Sequence, residues 1–442
     1  MAVLVARWLD ADEPFFREYK EWSGERRRSL GRAARLRDLW DLRADRLPPV
    51  LTVVGSKGKG TAATYAAATL TAAGLRTGLV TSPPFRTNRE RVRVDGVAVD
   101  DVAYRRMADE LAEALGELGP VQSDGGYLSP TGSFTISGVR HLLRSQVDVI
   151  VLEEGLGGAS DEVSLFSPQV VAVTAVFEEH LGVIGENLLE IAADLLGVIT
   201  PETRTVLSVP QEPEVWAALL ARAGDHGADV GLVDGFAEPG FPTPPGLSRM
   251  NAMLGTSAGR AMATLCGAPA GPDQDQEQEQ NQDQDPRDVV PLPISLPGRL
   301  SVHHDGPRTW VVDAPVNEHG VTAALEWFRR VLGTPRVVLL CMPDVKDVEG
   351  SLRALDGHTV VAVRAGESYL HFSGDRWPIP LLPATEAFDL ADRVEGDVLA
   401  LGTMSFVGEV LEHLDVPCDV LYPAPPDGGH QARLPFLGGA AG

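Results

Sequence analysis

The residues with the most chemistry to offer stand close together in Gly55-Ser56-Lys-Gly58-Lys59-Gly60-Thr61. The glycines let backbone N–H groups turn toward one point, and a lysine and a hydroxyl follow. A loop that cradles phosphates has this composition: converging N–H donors, the partial positive charge of a helix N-terminus, a lysine for the terminal phosphates and a hydroxyl for Mg²⁺. The spacing G-x-x-G-K-G-T departs from the common G-x-x-x-x-G-K-[ST] pattern, and a tight strand-to-helix turn with solvated lysines uses the same residue types. Acids suited to such a site end two later apolar runs. Val147 to Leu152 leads into Glu153-Glu154, where a carboxylate is placed to hold a metal or a water, although either glutamate also reads as a surface residue. Val170 to Val176 leads into Glu178-Glu179-His180, which makes His180 a candidate metal ligand. Ser82, at the end of the run from Gly74 to Thr81, offers a second hydroxyl for the metal.

These groups need elements to position them. Leu51-Thr-Val-Val54 is apolar and β-branched, and Ala62 onward has strong helix propensity, so the loop lies between a strand and a helix. Residues 7–45 mix aromatic and leucine residues with many charges and read as amphipathic helices; Arg26-Arg-Arg28 could meet an anion but reads first as a solvated helix face. Residues 99–119 read as an acidic helix, 120–132 as a mobile loop, 188–199 as a helix and 205–209 as a strand. Strands alternating with helices indicate a mostly parallel, doubly wound sheet, which places ligands at its strand C-termini. A linker rich in Pro and Gly at 234–247 precedes a helix beginning near Met250-Asn251. The tract from Gly271 to Pro286 has no apolar residue and is expected to be disordered. A second α/β pattern follows, with strands at 309–313, 336–341, 359–363 and 397–401. The organisation expected is an N-terminal α/β domain at 1–295, with the acidic insert at about 271–287, and a smaller C-terminal α/β domain at 296–442 that closes over the first.

At 442 residues the chain exceeds a single core. It carries 38 basic and 62 acidic residues, a formal net charge of −24, which argues against a general nucleic-acid or anionic-membrane surface but permits a local basic pocket. Three cysteines, Cys266, Cys341 and Cys418, lie far apart without a C-x-x-C pair and suit a reducing compartment. The N-terminal apolar run is too short for a signal peptide, and no run approaches the ~20 residues of a membrane helix. The expectation is a soluble, cytoplasmic, monomeric protein with small-molecule partners.

Several blocks, in order, resemble the folylpolyglutamate synthase/dihydrofolate synthase family of the Mur ligase superfamily. The family's G-T-N-G-K-G-S is matched by Gly55 to Thr61, its T-S-P-H-L by Thr81-Ser82-Pro83-Pro84-Phe85 with Glu90-Arg91 beyond, and its L-E-x-G-L-G-G by Leu152 to Gly158 with Asp161 following. D-H is Glu179-His180, P-G-R-L is Pro297 to Leu300, D-G-A-H-N is Asp313 to Asn317, and G-S-x-x-x-V-G-E is Gly402 to Glu409. The resemblance implies a Mur-ligase-like fold: a P-loop ATPase domain followed by a smaller Rossmann-like domain. It implies an ATP-dependent, ADP-forming amide ligase that activates a carboxylate as an acyl phosphate and joins it to an amino acid such as glutamate. It also implies roles: Lys59, Glu153 and His180 in catalysis; Thr61, Ser82, Glu153 and His180 around Mg²⁺; Gly55, Ser56, Gly58, Lys59, Gly60, Thr61, Asn251, Arg299 and Asp313 at ATP.

Some departures are informative. Aligned with the family's E-K-A-G-I, the chain has Leu195 or Leu196 in place of a carbamylated lysine that helps hold a second Mg²⁺. Pro84 and Val316 stand for two histidines, and Ala159 for an arginine. These substitutions lean toward a ligase of a specialised pathway with a non-folate substrate. They also keep open a catalytically impaired nucleotide-binding homologue.

Overall fold

The computed structural model describes residues 10–23, 27–121, 125–179, 181–234, 247–268, 294–366 and 370–423. The expectations for His180, for Arg26 and for the acidic tract at about 271–287 lie outside the described residues. The chain forms two compact units. The larger comprises the described residues of Glu13–Ser82, Arg91–Ile294 and Leu421–Gly442; the smaller comprises those of Met1–Asp12, Pro83–Glu90 and Ser295–Val420.

In the larger unit, α1 (Glu13–Glu21) and α2 (Leu30–Leu39) precede β1 (Val50–Val54), which runs through the glycine loop into α3 (Lys59–Ala72). Next come β2 (Thr77–Val80), a short hairpin of β3 (Val92–Val94) and β4 (Val97–Ala98), then α4 (Asp101–Leu118) and α5 (Pro130–Arg144). The strands β5 (Val149–Glu153) and β6 (Val170–Val173), α6 (Leu188–Leu196), β7 (Thr205–Ser208), α7 (Pro213–His226), β8 (Asp229–Leu232) and α8 (Leu247–Leu265) complete it. The eight strands lie in the order β4-β3-β2-β5-β1-β6-β7-β8. From β2 to β8 every pairing is parallel, and β3 and β4 add antiparallel edge pairings. The expected mostly parallel sheet is therefore present, and the antiparallel edge is an addition. β1 lies between β5 and β6, with Val53 level with Glu153 and Ala172. That register brings the ends of three strands beside the glycine loop.

Burial follows from these positions. All five residues of β1 and of β5 are buried, as parallel strands covered on both faces must be. α3 has no polar stripe because the sheet covers one side and α8 the other. The helices approach closely because Gly255 meets the backbone of Ala62: a Cβ there would lie 2.1 Å from the Ala62 carbonyl oxygen. One expectation is corrected here. Residues 130–132, read as the end of a mobile loop, are the first turn of α5. Ser129 caps that helix by accepting from Gly132 N, and Pro130 follows in the first position.

In the smaller unit, β9 (Ser301–Asp305) and β10 (Arg308–Asp313) form a hairpin followed by α9 (Glu318–Leu332), β11 (Val337–Cys341), α10 (Val348–Ala354) and β12 (Val360–Arg364). Then come β13 (Leu381–Pro383), α11 (Ala384–Arg393), β14 (Val398–Gly402) and α12 (Met404–His413). Strand order is β13-β12-β11-β14-β10-β9, parallel except for β9. One core lies on each face. Trp310, Phe388 and Phe406 anchor one, and Phe328 with Leu340 and Met342 anchors the other.

Candidate functional site

The glycine loop is held open by contacts that only its own residue types permit. Gly55 has φ +130°, and a Cβ there would meet the Thr174 hydroxyl at 2.3 Å. Ser56 ties the loop to the end of β6: its N donates to the Ala175 carbonyl at 2.9 Å, and its Oγ donates to the Phe177 carbonyl at 3.1 Å. Gly58 is left-handed (φ +91°) and starts α3, and a Cβ there would overlap the Asn251 amide of α8. Asn251, expected at the nucleotide, thus lies directly over the loop. Thr61 is buried in the first turn of α3.

Glu153, at the end of β5, reaches the same place. Its Oε2 accepts from Ser82 N at 3.0 Å, and its Oε1 would lie 3.3 Å from a Cβ on Gly60. Ser82 Oγ accepts from Arg91 at 2.9 Å. The larger unit therefore gathers Gly55, Ser56, Gly58, Lys59, Gly60, Thr61, Ser82, Glu153 and Asn251. Among the described residues no group of three or more His, Cys, Asp or Glu side chains is arranged to hold a metal. A carboxylate with two hydroxyls is an oxygen donor set that suits a hard cation keeping its other positions for water and phosphate, so the residues fit Mg²⁺.

Lys59 has a partner that the sequence reading passed over. Its Nζ donates to the Gly55 carbonyl at 2.6 Å and to Glu154 Oε1 at 2.7 Å. The reading of Glu154 as a surface residue is corrected: it is buried, 2 % exposed. Burial works against the Lys59 charge, but Glu154 first, then Glu153 and Glu179, hold its pKa above the ordinary lysine value. Burial pushes the Glu154 carboxyl up, and the Lys59 ammonium 2.7 Å away pulls it back toward the charged form.

The Leu152–Gly158 block continues into a loop braced from a distance. Asp161 accepts from Leu156 N at 2.9 Å and Val163 N at 3.0 Å. Asp194 on α6 accepts from Gly158 N at 2.8 Å, Ser160 N at 3.1 Å and Ser160 Oγ at 2.9 Å. Arg28 donates to the Leu156 carbonyl at 2.8 Å and lies 3.6 Å from Asp161. It is therefore a brace of this loop that precedes α2, and the solvated-face expectation fails for it. Beside it, burial and then the Asp161 charge push Glu162 up to about 7. Leu195 and Leu196 are buried apolar residues of α6.

Arg299 and Asp313 belong to the smaller unit. There Asp313 accepts from Leu300 N at 3.2 Å, so the Pro297–Leu300 turn is held against the end of β10. Gly298 abuts Val407, with a Cβ at 2.2 Å from its Cγ1, which brings the closing block to the same turn. Glu90, also in that unit, folds the 85–87 turn by accepting from Phe85 N, Arg86 N and Thr87 N at 2.8–3.0 Å.

Fold and site together define an α/β protein with a glycine-lysine phosphate loop in its larger unit and a second α/β unit beside it in sequence. No protein-family model matches the chain. Over 304 residues it is 27% identical to the mitochondrial folylpolyglutamate synthase of Bos taurus, covering 64% of the chain and 51% of that protein. Over 184 residues it is 30% identical to the dihydrofolate synthase/folylpolyglutamate synthase of Escherichia coli, covering 40% and 42%. Over 177 residues it is 36% identical to a probable bifunctional folylpolyglutamate synthase/dihydropteroate synthase of Halobacterium salinarum, covering 40% and 21%. The matches thus span about a fifth to a half of these relatives' lengths. A Mycobacterium tuberculosis folylpolyglutamate synthase, solved with ADP and AMPPCP, superposes with a TM-score of 0.74 at 21% identity, covering 92% of this chain and 100% of that one. A bifunctional folylpolyglutamate synthase/dihydrofolate synthase, solved with Mn, AMPPNP and L-glutamate, gives 0.71 at 21% identity over 90% and 97%. Over part of its length the chain is thus similar in sequence to folylpolyglutamate synthases and dihydrofolate synthases, and it shares the fold of the solved folylpolyglutamate synthases.

Proposed function

We propose that this protein is an ATP-dependent, ADP-forming ligase that joins a small-molecule carboxylate to the amine of an amino acid, such as glutamate, and that 1–295 and 296–442 are its ATP-binding and C-terminal domains. The observation that carries the reading is the convergence of Lys59, Thr61, Glu153 and Ser82 on one glycine loop. In this reaction the substrate carboxylate attacks the γ-phosphoryl group, and the amine then displaces phosphate from the acyl phosphate. The loop N–H groups bind the phosphate tail, Lys59 offsets charge on the transferring group, and Asn251, Arg299 and Asp313 hold the nucleotide. Mg²⁺, when bound by Thr61, Ser82, Glu153 and His180, supplies charge neutralisation at the phosphates.

The amide-forming chemistry follows the family likeness, while the choice of acid and amine need not. Leucines 195 and 196, Pro84, Val316 and Ala159 remove side chains that the family uses, which favours a non-folate pair in a specialised pathway. We place the protein in the cytoplasm as a monomer without nucleic-acid or membrane partners. Among the described residues no helix is long and apolar enough to cross a membrane. Glu153→Ala tests the site directly. ATP turnover is expected to fall by two orders of magnitude or more, on the order of the ~3 kcal/mol that one transition-state charge contact supplies. Unchanged turnover would overturn the metal assignment.

A further inference from the structure

Glu154 fills the open position of the block Leu-Glu-x-Gly-Leu-Gly-Gly, and the proposed reaction gives it no task. Its setting is nevertheless specific. The Glu154 backbone N donates to the Val53 carbonyl at 3.0 Å, extending the β5–β1 register by one residue. This fixes the carboxylate beneath the loop, where Oε1 takes the Lys59 ammonium at 2.7 Å. The lysine has three protons to give. One goes to the Gly55 carbonyl and one to Glu154, which leaves one for anything else.

An ion pair kept only for stability would satisfy all its atoms, because an unbonded buried oxygen is costly. Glu154 Oε2 is buried and has no hydrogen-bond partner among the described residues. The carboxylate is thus committed to Lys59 alone, and it also brings negative charge to the place where a polyanion would bind. Asp194 and Asp161 nearby behave differently, since each accepts several backbone N–H groups and shapes a loop.

We propose that Glu154 is a positioning residue that parks Lys59 against the glycine loop and competes with the nucleotide's phosphate tail for its ammonium, so that it sets nucleotide affinity. This rests on the nucleotide-binding reading above. A phosphate chain draws Lys59 away from Glu154, and the carboxylate re-engages the lysine when the product leaves. Binding is weaker than the loop alone would give, and release is correspondingly easier.

The test is calorimetric titration of the full chain with MgADP, which binds without turning over. Glu154→Gln keeps the shape but gives up the charge, and is expected to tighten binding about tenfold, or about 1.4 kcal/mol. Glu154→Asp keeps the charge but withdraws it by one methylene, and is expected to fall between the two. In a Lys59→Ala background the Glu154→Gln gain should vanish, because the effect runs through the lysine. A thermal melt of each variant confirms folding; should Glu154→Gln melt early, Glu154→Asp with and without Lys59→Ala answers the same question. Unchanged or weaker MgADP binding by folded variants would overturn the inference while leaving wild-type nucleotide binding intact. A gain that survives in Lys59→Ala would also overturn it, in favour of general charge repulsion. If neither wild type nor variants bind MgADP, the nucleotide reading itself fails with it.

Discussion

Glu409, the last residue of the closing block, accepts from Gly366 N at 2.9 Å and is otherwise enclosed. Burial pushes its carboxyl from the ordinary 4.5 up to about 7. Between those values the folded protein holds a proton that the unfolded chain has released. The stability from this group is therefore complete below about pH 4.5 and is lost as pH rises through 7. At ~1.4 kcal/mol per unit this amounts to about 3 kcal/mol at most. Thermal melts from pH 5 to 8 should show the wild type losing stability with rising pH, and Glu409→Gln losing less; parallel profiles would remove Glu409 as the cause. Residue chemistry was legible where it was local. The loop Gly55–Thr61, Ser82 and Glu153 could be named from the sequence because each lies in or at the end of an apolar run. Asp194 and Arg28 could not, since they meet the Gly155–Ser160 loop across 34 to 36 and about 130 residues of chain, respectively. Glu154 was named, but the two adjacent acids look alike in sequence; only the strand's alternation, fixed by pairing with β1, sends one to Ser82 and the other to Lys59.

Elements show the same division between local pattern and long-range packing. β1, β5, β6 and β7 were legible as apolar runs, and α3 as an alanine-rich segment. α5 was not, because its Gly, Ser and Thr residues have low helix propensity and nine of its residues are buried by tertiary packing. The hairpin β3–β4 is too short for its alternation to show. Glycines in two helices give a paired prediction. Gly255 of α8 faces the Ala62 backbone of α3, so Gly255→Ala must push the helices apart and should cost about 1–3 kcal/mol. Gly116 of α4 has open space around its would-be Cβ, and Gly116→Ala should stabilise by about 0.5–1 kcal/mol. Denaturant melts of the two variants should shift in opposite directions. Because α8 also carries Asn251 over the loop, Gly255→Ala should weaken MgADP binding as well, whereas Gly116→Ala should leave it unchanged. Equal shifts for both variants would contradict the close α3–α8 contact.

At the scale of the whole molecule, the ordered sequence blocks divide between two α/β units: the glycine loop, Ser82 and Glu153 in the larger, Arg299, Asp313 and Glu409 in the smaller. The two-sheet plan was readable from alternating patterns, since parallel strands buried on both faces leave continuous apolar runs. Assignment of residues 83–90 to the smaller unit was not, because it depends on contacts such as that of Arg86 with Glu412, far along the chain. The central proposal for this molecule is that it couples ATP cleavage to amide formation. The most direct measurement is ADP release by the purified protein with ATP and Mg²⁺, with a folate plus glutamate and then with a panel of other acids and amines, using Lys59→Ala as the control. ADP release is expected to require both an acid and an amine and to be lost in Lys59→Ala. Tight ATP binding with no ADP release for any pair would contradict it and would make the protein a nucleotide-binding homologue without ligase activity.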